Sequence, residues 1–246
     1  MSFYKYIRRS LWYFRKQHIA VLVGTVISTA VLTGALIMGD SIRFSLRKLV
    51  EMRLGNTRYA LVAGNRLVRT DLARDIATEL KIPASPLLTL QGIVINPETK
   101  NRINSGSVIG IDSSFQAVTG ARMPALDADE ALISDNIAQQ LQLKKGDEFL
   151  LRVENVSPVP INAPFASEAK PSLGIRLNVK GIINDQNMGR FSLRNNQAAP
   201  FNIFVSLEFL TSKLNLAKRA NVILFSDNLR HNLRKDSLDH VLDKTW

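Results

Sequence analysis

Residues 19–38 read IAVLVGTVISTAVLTGALIM, twenty residues without a charge. At a rise of 1.5 Å per residue, a helix over them is about 30 Å long, the thickness of a bilayer's hydrocarbon core. Ten of the twenty are Leu, Ile or Val, and each contributes about −0.3 to −0.6 kcal/mol to insertion at the bilayer centre. The stretch reads as one transmembrane helix, and the rest of the chain is organised around it.

Immediately before it stand Lys5, Arg8, Arg9, Arg15 and Lys16, interleaved with Tyr4, Tyr6, Trp12 and Tyr13. Cations mixed with interfacial aromatics suit a helix that lies at the headgroup level and then turns in. A cleaved signal peptide would carry an apolar region of about 7–15 residues and a small-residue cleavage site; here the run is longer and no such site is well formed. Five Lys/Arg precede the span and five follow it within 20 residues (Arg43, Arg47, Lys48, Arg53 and Arg58), so their count does not orient the helix. The preceding cations sit closer, and Asp40 directly follows. We therefore expect residues 1–18 to be cytoplasmic and the bulk of the chain to be extracytoplasmic.

The span carries small residues four apart, Gly24 with Ser28 and Ala30 with Gly34. Such pairs let helix backbones approach closely, which implies a second transmembrane helix as partner. Past the span, Ile42, Leu46, Leu49, Val50 and Leu54 alternate with Arg43, Arg47 and Lys48 at helical spacing. Residues 39–58 read as a stalk, with Gly55 and Asn56 as terminators.

Residues 59–246 alternate between strand and helix signals. Strands are expected at Tyr59–Ala63, Leu87–Asn96, Ile103–Ile111, Glu148–Val153, Leu173–Asn184, Asn202–Ser206 and Asn221–Ser226. Those at Leu87 and Ile103 flank a turn at Pro97–Asn101 and form a hairpin. Pro83 and Pro86 end the helix expected over Thr70–Leu80. Ala131–Leu143 begins as a strand and becomes a helix with Ser134 at its N-cap. Helices are also expected at Leu207–Leu216 and Leu229–Leu242. Four of the nine prolines fall in 156–172, which reads as an exposed loop. The fold class is α+β, with a subdomain insertion about 120–180 as an option.

The net charge of +11 is unevenly spread. Residues 1–58 hold 10 Lys/Arg against 2 Asp/Glu, and residues 59–246 hold 22 against 19. The excess flanks the span, where anionic headgroups account for it, and a nucleic-acid footprint on the folded part is not indicated. Without cysteine, disulfides, thiolate metal sites and cysteine nucleophiles are excluded. No G-x-x-x-x-G-K-[ST] or G-x-G-x-x-G sequence occurs, and no G-x-S-x-G elbow. His231 and His240 are nine apart, unlike zinc ligands at i and i+4, and His18 sits at the membrane edge. Asp127, Asp129 and Glu130 lack the alternation and glycine of a calcium loop and read as a solvated loop. Asn155–Ser157 fits a glycosylation acceptor, a pattern frequent by chance. No catalytic, cofactor-binding or metal residue is assigned, and the chain is not expected to be an enzyme.

One element is more specific. Ala131-Leu-Ile-Ser-Asp-Asn-Ile-Ala138 runs on to Leu141-Gln-Leu-Lys-Lys-Gly-Asp-Glu-Phe149. With the basic aromatic N-terminus, the span ending Ala35-Leu-Ile-Met-Gly-Asp-Ser41, the stalk ending Arg53-Leu-Gly55, and the strands Leu177–Ile183 and Asn202–Leu207, it resembles the permeases of MacB/FtsX/LolC-type ABC transporters. The likeness is to their first span and MacB-like periplasmic core domain. Ser134, Ala138, Leu141, Gly146 and Asp147 form the structural signature. The resemblance implies a non-catalytic permease with ATP bound by a partner ATPase subunit, a permease dimer partner, contact with membrane lipid, and a periplasmic domain that transmits ATP-driven motion. Such permeases are expected to have further spans, usually three, so the chain reads as an N-terminal piece. A single-span extracytoplasmic sensor and an accessory membrane anchor are the alternatives.

Overall fold

The computed structural model describes residues 3–64, 66–154, 172–194, 198–216, 218–226 and 241. It forms two compact units, Met1–Leu49 and Val50–Trp246. The first holds helix α1 (Phe3–Tyr13) and most of α2 (Arg15–Leu54). Phe14 alone separates them. Its N–H donates to the Ser10 carbonyl at 3.1 Å, and its carbonyl accepts from the His18 N–H at 3.1 Å, so helical bonding continues through the joint.

The second unit begins with β1 (Thr57–Val62), β2 (Val68–Arg69), α3 (Asp71–Leu80) and the long hairpin β3 (Ala84–Ile95) and β4 (Arg102–Ile111). It continues through α4 (Ser114–Thr119), β5 (Glu130–Ser134), α5 (Asp135–Leu141), β6 (Glu148–Glu154) and β7 (Ser172–Ile183). A 3-10 turn at Asp185–Asn187 leads to β8 (Phe201–Ser206), α6 (Leu207–Lys213), β9 (Arg219–Ala220) and β10 (Val222–Ser226).

Eight strands form one sheet in the order β1-β10-β3-β4-β8-β5-β7-β6, and β6 pairs back onto β3. That last pairing, Gly92↔Val153 through Ile95↔Leu150, closes six strands into a barrel. β4–β8 and β5–β7 are parallel, and the other pairs are antiparallel. Strand β3 serves two layers: Ala84–Leu87 pair with β10, and Leu88–Ile95 pair with β4. Pro86 is accommodated because the β4 ladder starts only at Leu88, so its missing N–H interrupts no bond on that side.

Alternation sets the cores. Leu88, Leu90, Val108, Ile133, Leu151, Leu177 and Ile203 point into the barrel. Because β5 and β8 run antiparallel, the helices that follow them leave from opposite ends, and both bury apolar faces in that core through Ile137, Leu141, Leu207 and Leu210. A second cluster forms around Phe115, Phe191 and Phe204 with Leu132, Ile183 and Val222. A third puts α3 (Leu72, Ala73, Ile76) against Ile223, Phe225 and Val241.

Three expectations change. The stalk helix expected over 39–58 ends at Leu54, because Gly55 turns left-handed at φ 55° and β1 starts at Thr57. The segment about 120–180 contributes β5, β6 and β7 to the common sheet, so its described part is not set apart as an insertion. Pro86 lies within a strand instead of preceding one.

Candidate functional site

From Ile19 to Gly39 α2 carries no charged side chain, and no residue of the helix is buried. It is the one helix among the described residues long and apolar enough to cross a membrane. Two of its hydroxyl side chains bond back to the helix's own backbone. The Thr25 hydroxyl donates to the Leu22 carbonyl at 2.8 Å and the Thr29 hydroxyl to the Thr25 carbonyl at 2.7 Å. Gly24 and Gly34 face open space, with nothing within 4 Å of an added Cβ. At about 100° per residue, Gly24 with Ser28 and Ala30 with Gly34 lie on faces about 120° apart. The four residues thus form two patches instead of one seam.

The end of α2 is seated on α4. Gly55 N–H closes the helix on Glu51 O at 2.8 Å, and Asn56 N–H donates to Thr119 O at 3.0 Å. The fit is close. A Cβ on Gly55 would lie 2.2 Å from Thr119 O and 2.3 Å from Met188 Cε, and one on Gly120 would lie 2.6 Å from Asn56 Nδ2. Both glycines also hold positive φ, 55° and 75°, which side chains disfavour. α4, only six residues long, with its own Phe115 and Val118 buried, left no clear periodic signal in the sequence, so this seat was not anticipated.

The signature element folds as a strand, a helix, a tight turn and a strand. Ile137, Ala138, Leu141 and Leu143 are buried in the barrel core. Ser134 occupies the N-cap position with extended backbone, but its hydroxyl makes no cap bond. Instead Ser134 Oγ donates to Asn136 Oδ1 and accepts from the Asn202 N–H at 3.0 Å. Asn202, fully buried, donates in turn to Gly189 O and Phe191 O. The expected cap is therefore a strap between β5, β8 and the loop after β7. Gly146 turns at φ 96°, with its N–H on Val179 O at 2.8 Å, and Asp147 Oδ2 accepts from the Lys144 N–H at 2.7 Å. At the far end of α5, Leu141 O accepts from Asn96 Nδ2 at 2.8 Å, which ties the helix to the β3–β4 turn.

The acidic run is not a free loop. Lys180 Nζ contacts Glu130 Oε2 and lies 3.7 Å from Asp127 Oδ2. Asn178 N–H and Nδ2 bond Asp129 O and Oδ2. The Lys180 hydrogen bond, helped by the Asp127 N–H, holds the Glu130 carboxyl below its ordinary value, and the same bond raises Lys180. Among the described residues no group of three or more His, Asp or Glu side chains is placed to hold a metal. His231, His240 and the Asn155–Ser157 acceptor lie outside the described residues. So does the proline-rich stretch 156–172 except for Ser172, and the helical stretch Leu229–Leu242 except for Val241.

No family model matches the chain, and no curated protein matches it. Among solved structures, the periplasmic region of MacB from Actinobacillus actinomycetemcomitans is similar at a TM-score of 0.46 and 10% identity, over 72% of this chain and 72% of that one. The extracellular domain of the noncanonic ABC-type transporter YknZ from Gram-positive bacteria is similar at 0.43 and 9% identity, over 67% of this chain and 75% of that one.

Proposed function

We propose that the chain is a membrane permease component of an ABC transporter, non-catalytic itself, with ATP bound by a partner ATPase subunit. In this reading α2 spans the bacterial inner membrane with residues 1–18 cytoplasmic, and the barrel unit stands on the extracytoplasmic side. The observation that carries it is α2 itself: forty residues of helix, exposed from Arg15 to Lys48, with a bilayer-length apolar stretch. Only a membrane or other transmembrane helices remove that surface from water. The seat at Asn56 and Thr119 supports a transmitting role, since motion passes between elements through close-packed, hydrogen-bonded contacts. The sequence resemblance supplies the identity of the partner, an ABC-type ATPase, and of a second permease copy or subunit.

The test is purification of the tagged full chain from its native membrane in mild detergent. Under this proposal a protein with a P-loop co-purifies and hydrolyses ATP in the complex. If the chain stays in the membrane fraction and no ATPase accompanies it, the transporter reading fails and the single-span sensor or anchor takes its place.

A further inference from the structure

Strand β3 changes neighbours on the side away from β4. It pairs there with β10 over Ala84–Leu87 and with β6 over Gly92–Ile95. Between the two ladders lies Thr89, and its main chain is met by a side chain instead of a strand. The Thr89 N–H donates to Asn221 Oδ1 at 2.8 Å, and Asn221 Nδ2 donates to Thr89 O at 2.8 Å. A carboxamide offers one carbonyl acceptor and an NH2 donor, the complement of a strand residue's own N–H and C=O. Asn221 thus supplies the rung that is missing where β10 has ended and β6 has not begun.

The main chain of Asn221 is divided as well. It stands between β9 and β10. Its N–H donates to Leu87 O at 3.0 Å, toward β3, and its carbonyl accepts from the Ala63 N–H at 2.9 Å, just past the end of β1. A residue in a regular antiparallel pair exchanges both bonds with one partner. Asn221 instead ties together the end of β1 and two points of β3, 132 residues away in sequence at Thr89.

Apolar packing also joins the outer layer to the barrel: Leu87, Val222 and Leu224 share a cluster with Leu132 and Phe204. That attraction is non-directional and does not select the residue of β3 at which the layers part. The Asn221 carboxamide does select it, through two bonds to one residue. We propose that the Asn221 side chain is the coupling rung between the β1–β10 layer and the barrel. With it the two open as one unit; without it the outer layer opens by itself, as separate cooperative units do. This inference goes beyond the permease reading and does not rest on it.

The test is hydrogen exchange of the full chain in detergent micelles, read by mass spectrometry on peptides covering β1 and β10, and on peptides covering β4, β5 and β8. In the unmodified chain the slowest amides of both sets exchange together. Asn221→Ala removes both side-chain bonds and leaves the main-chain ones. It speeds the β1 and β10 amides by about ten- to a hundredfold, as the loss of two neutral hydrogen bonds implies, while the barrel peptides keep their rates. Asn221→Gln keeps both polar groups on a longer side chain, gives a smaller effect of the same pattern, and is the readout should the alanine variant not fold.

Equal acceleration of both peptide sets makes Asn221 an ordinary stabilising residue and overturns the coupling role. Unchanged exchange in both sets overturns it too. So does an outer layer that already exchanges ahead of the barrel in the unmodified chain.

Discussion

Gly92 and Gly106 are directly opposite each other across the β3–β4 ladder, and neither position has room for a Cβ. One on Gly92 would come to 2.9 Å from Arg152 O and 3.0 Å from Val108 Cγ2, and one on Gly106 to 2.9 Å from Ile203 Cδ1. The pair marks the place where three strands, β4, β3 and β6, converge as the barrel closes. Gly92→Ala and Gly106→Ala are each expected to destabilise the domain by about 1–3 kcal/mol through overpacking. Denaturant midpoints of the detergent-solubilised chain measure this; a change smaller than about 0.5 kcal/mol would mean the barrel is not closed there.

Two other glycines separate backbone strain from steric fit. Gly146 holds φ 96° with open space around it, so Gly146→Ala should cost only the conformational term, about 1–2 kcal/mol. Gly55 holds φ 55° and also abuts Thr119 O and Met188. Gly55→Ala should cost about 2–5 kcal/mol, the conformational and overpacking contributions together. Equal losses in the two variants would contradict the seat of the α2 end on α4.

Ser134→Ala removes the acceptor of the buried Asn202 N–H. An unsatisfied buried donor costs about 1–3 kcal/mol, and β8 should lose hydrogen-exchange protection at Asn202 before the rest of the barrel does. Ser134→Asn would keep an acceptor but not the fit, so a neutral Ser134→Ala would show that the hydroxyl is not the strap described above.

The Glu130–Lys180 pair sets a pH dependence at both ends. Glu130 is shifted down from 4.5, so its contribution is present above that value and is lost as pH falls through the lower folded value. Lys180 is shifted up from 10.5, so its contribution is present below that value and is lost as pH rises through the higher folded one. Glu130→Gln should flatten the acid limb of a stability–pH curve below pH 4.5. An unchanged acid limb would assign that limb to other carboxylates.

Under the function proposed above, two glycines inserted after Leu46 should leave ATP hydrolysis active while transport falls, because helix continuity is interrupted between the apolar stretch and the end of α2. Parallel measurement of hydrolysis and transport in proteoliposomes reads this out, and transport at the original ratio to hydrolysis would remove α2 from the transmission route.

Sequence patterns carried the local features well. The twenty uncharged residues after His18, the hairpin around Pro97–Asn101, and the strand-helix-turn from Ala131 to Asp147 all declare themselves through periodicity and turn chemistry. What escaped depends on distant partners. The β3–β6 ladder joins Gly92 to Val153, and no local pattern reports that closure. Pro86 looked like a breaker because its tolerance depends on where the β4 ladder begins. Asp127 and Asp129 are exposed, as a solvated loop should be, but the ties that Lys180 and Asn178 make to this run from some fifty residues away are invisible in sequence. Ser134 looked like a cap because the competing acceptor role toward Asn202 is invisible in sequence. The α4 seat required a three-dimensional neighbour for Gly55 that spacing alone does not supply.

Strand β3 makes one molecule of two sheets in the manner of a rope splice. A pull entering at Gly55 first meets the Asn56–Thr119 bond, then the rungs between β1 and β10, then the four rungs at Ala84–Leu87. Past those, the same strand is gripped on both sides, by β4 and by β6. The grip is thereby graded along a single stretch of backbone, one-sided where β3 meets β10 and two-sided inside the closed ring.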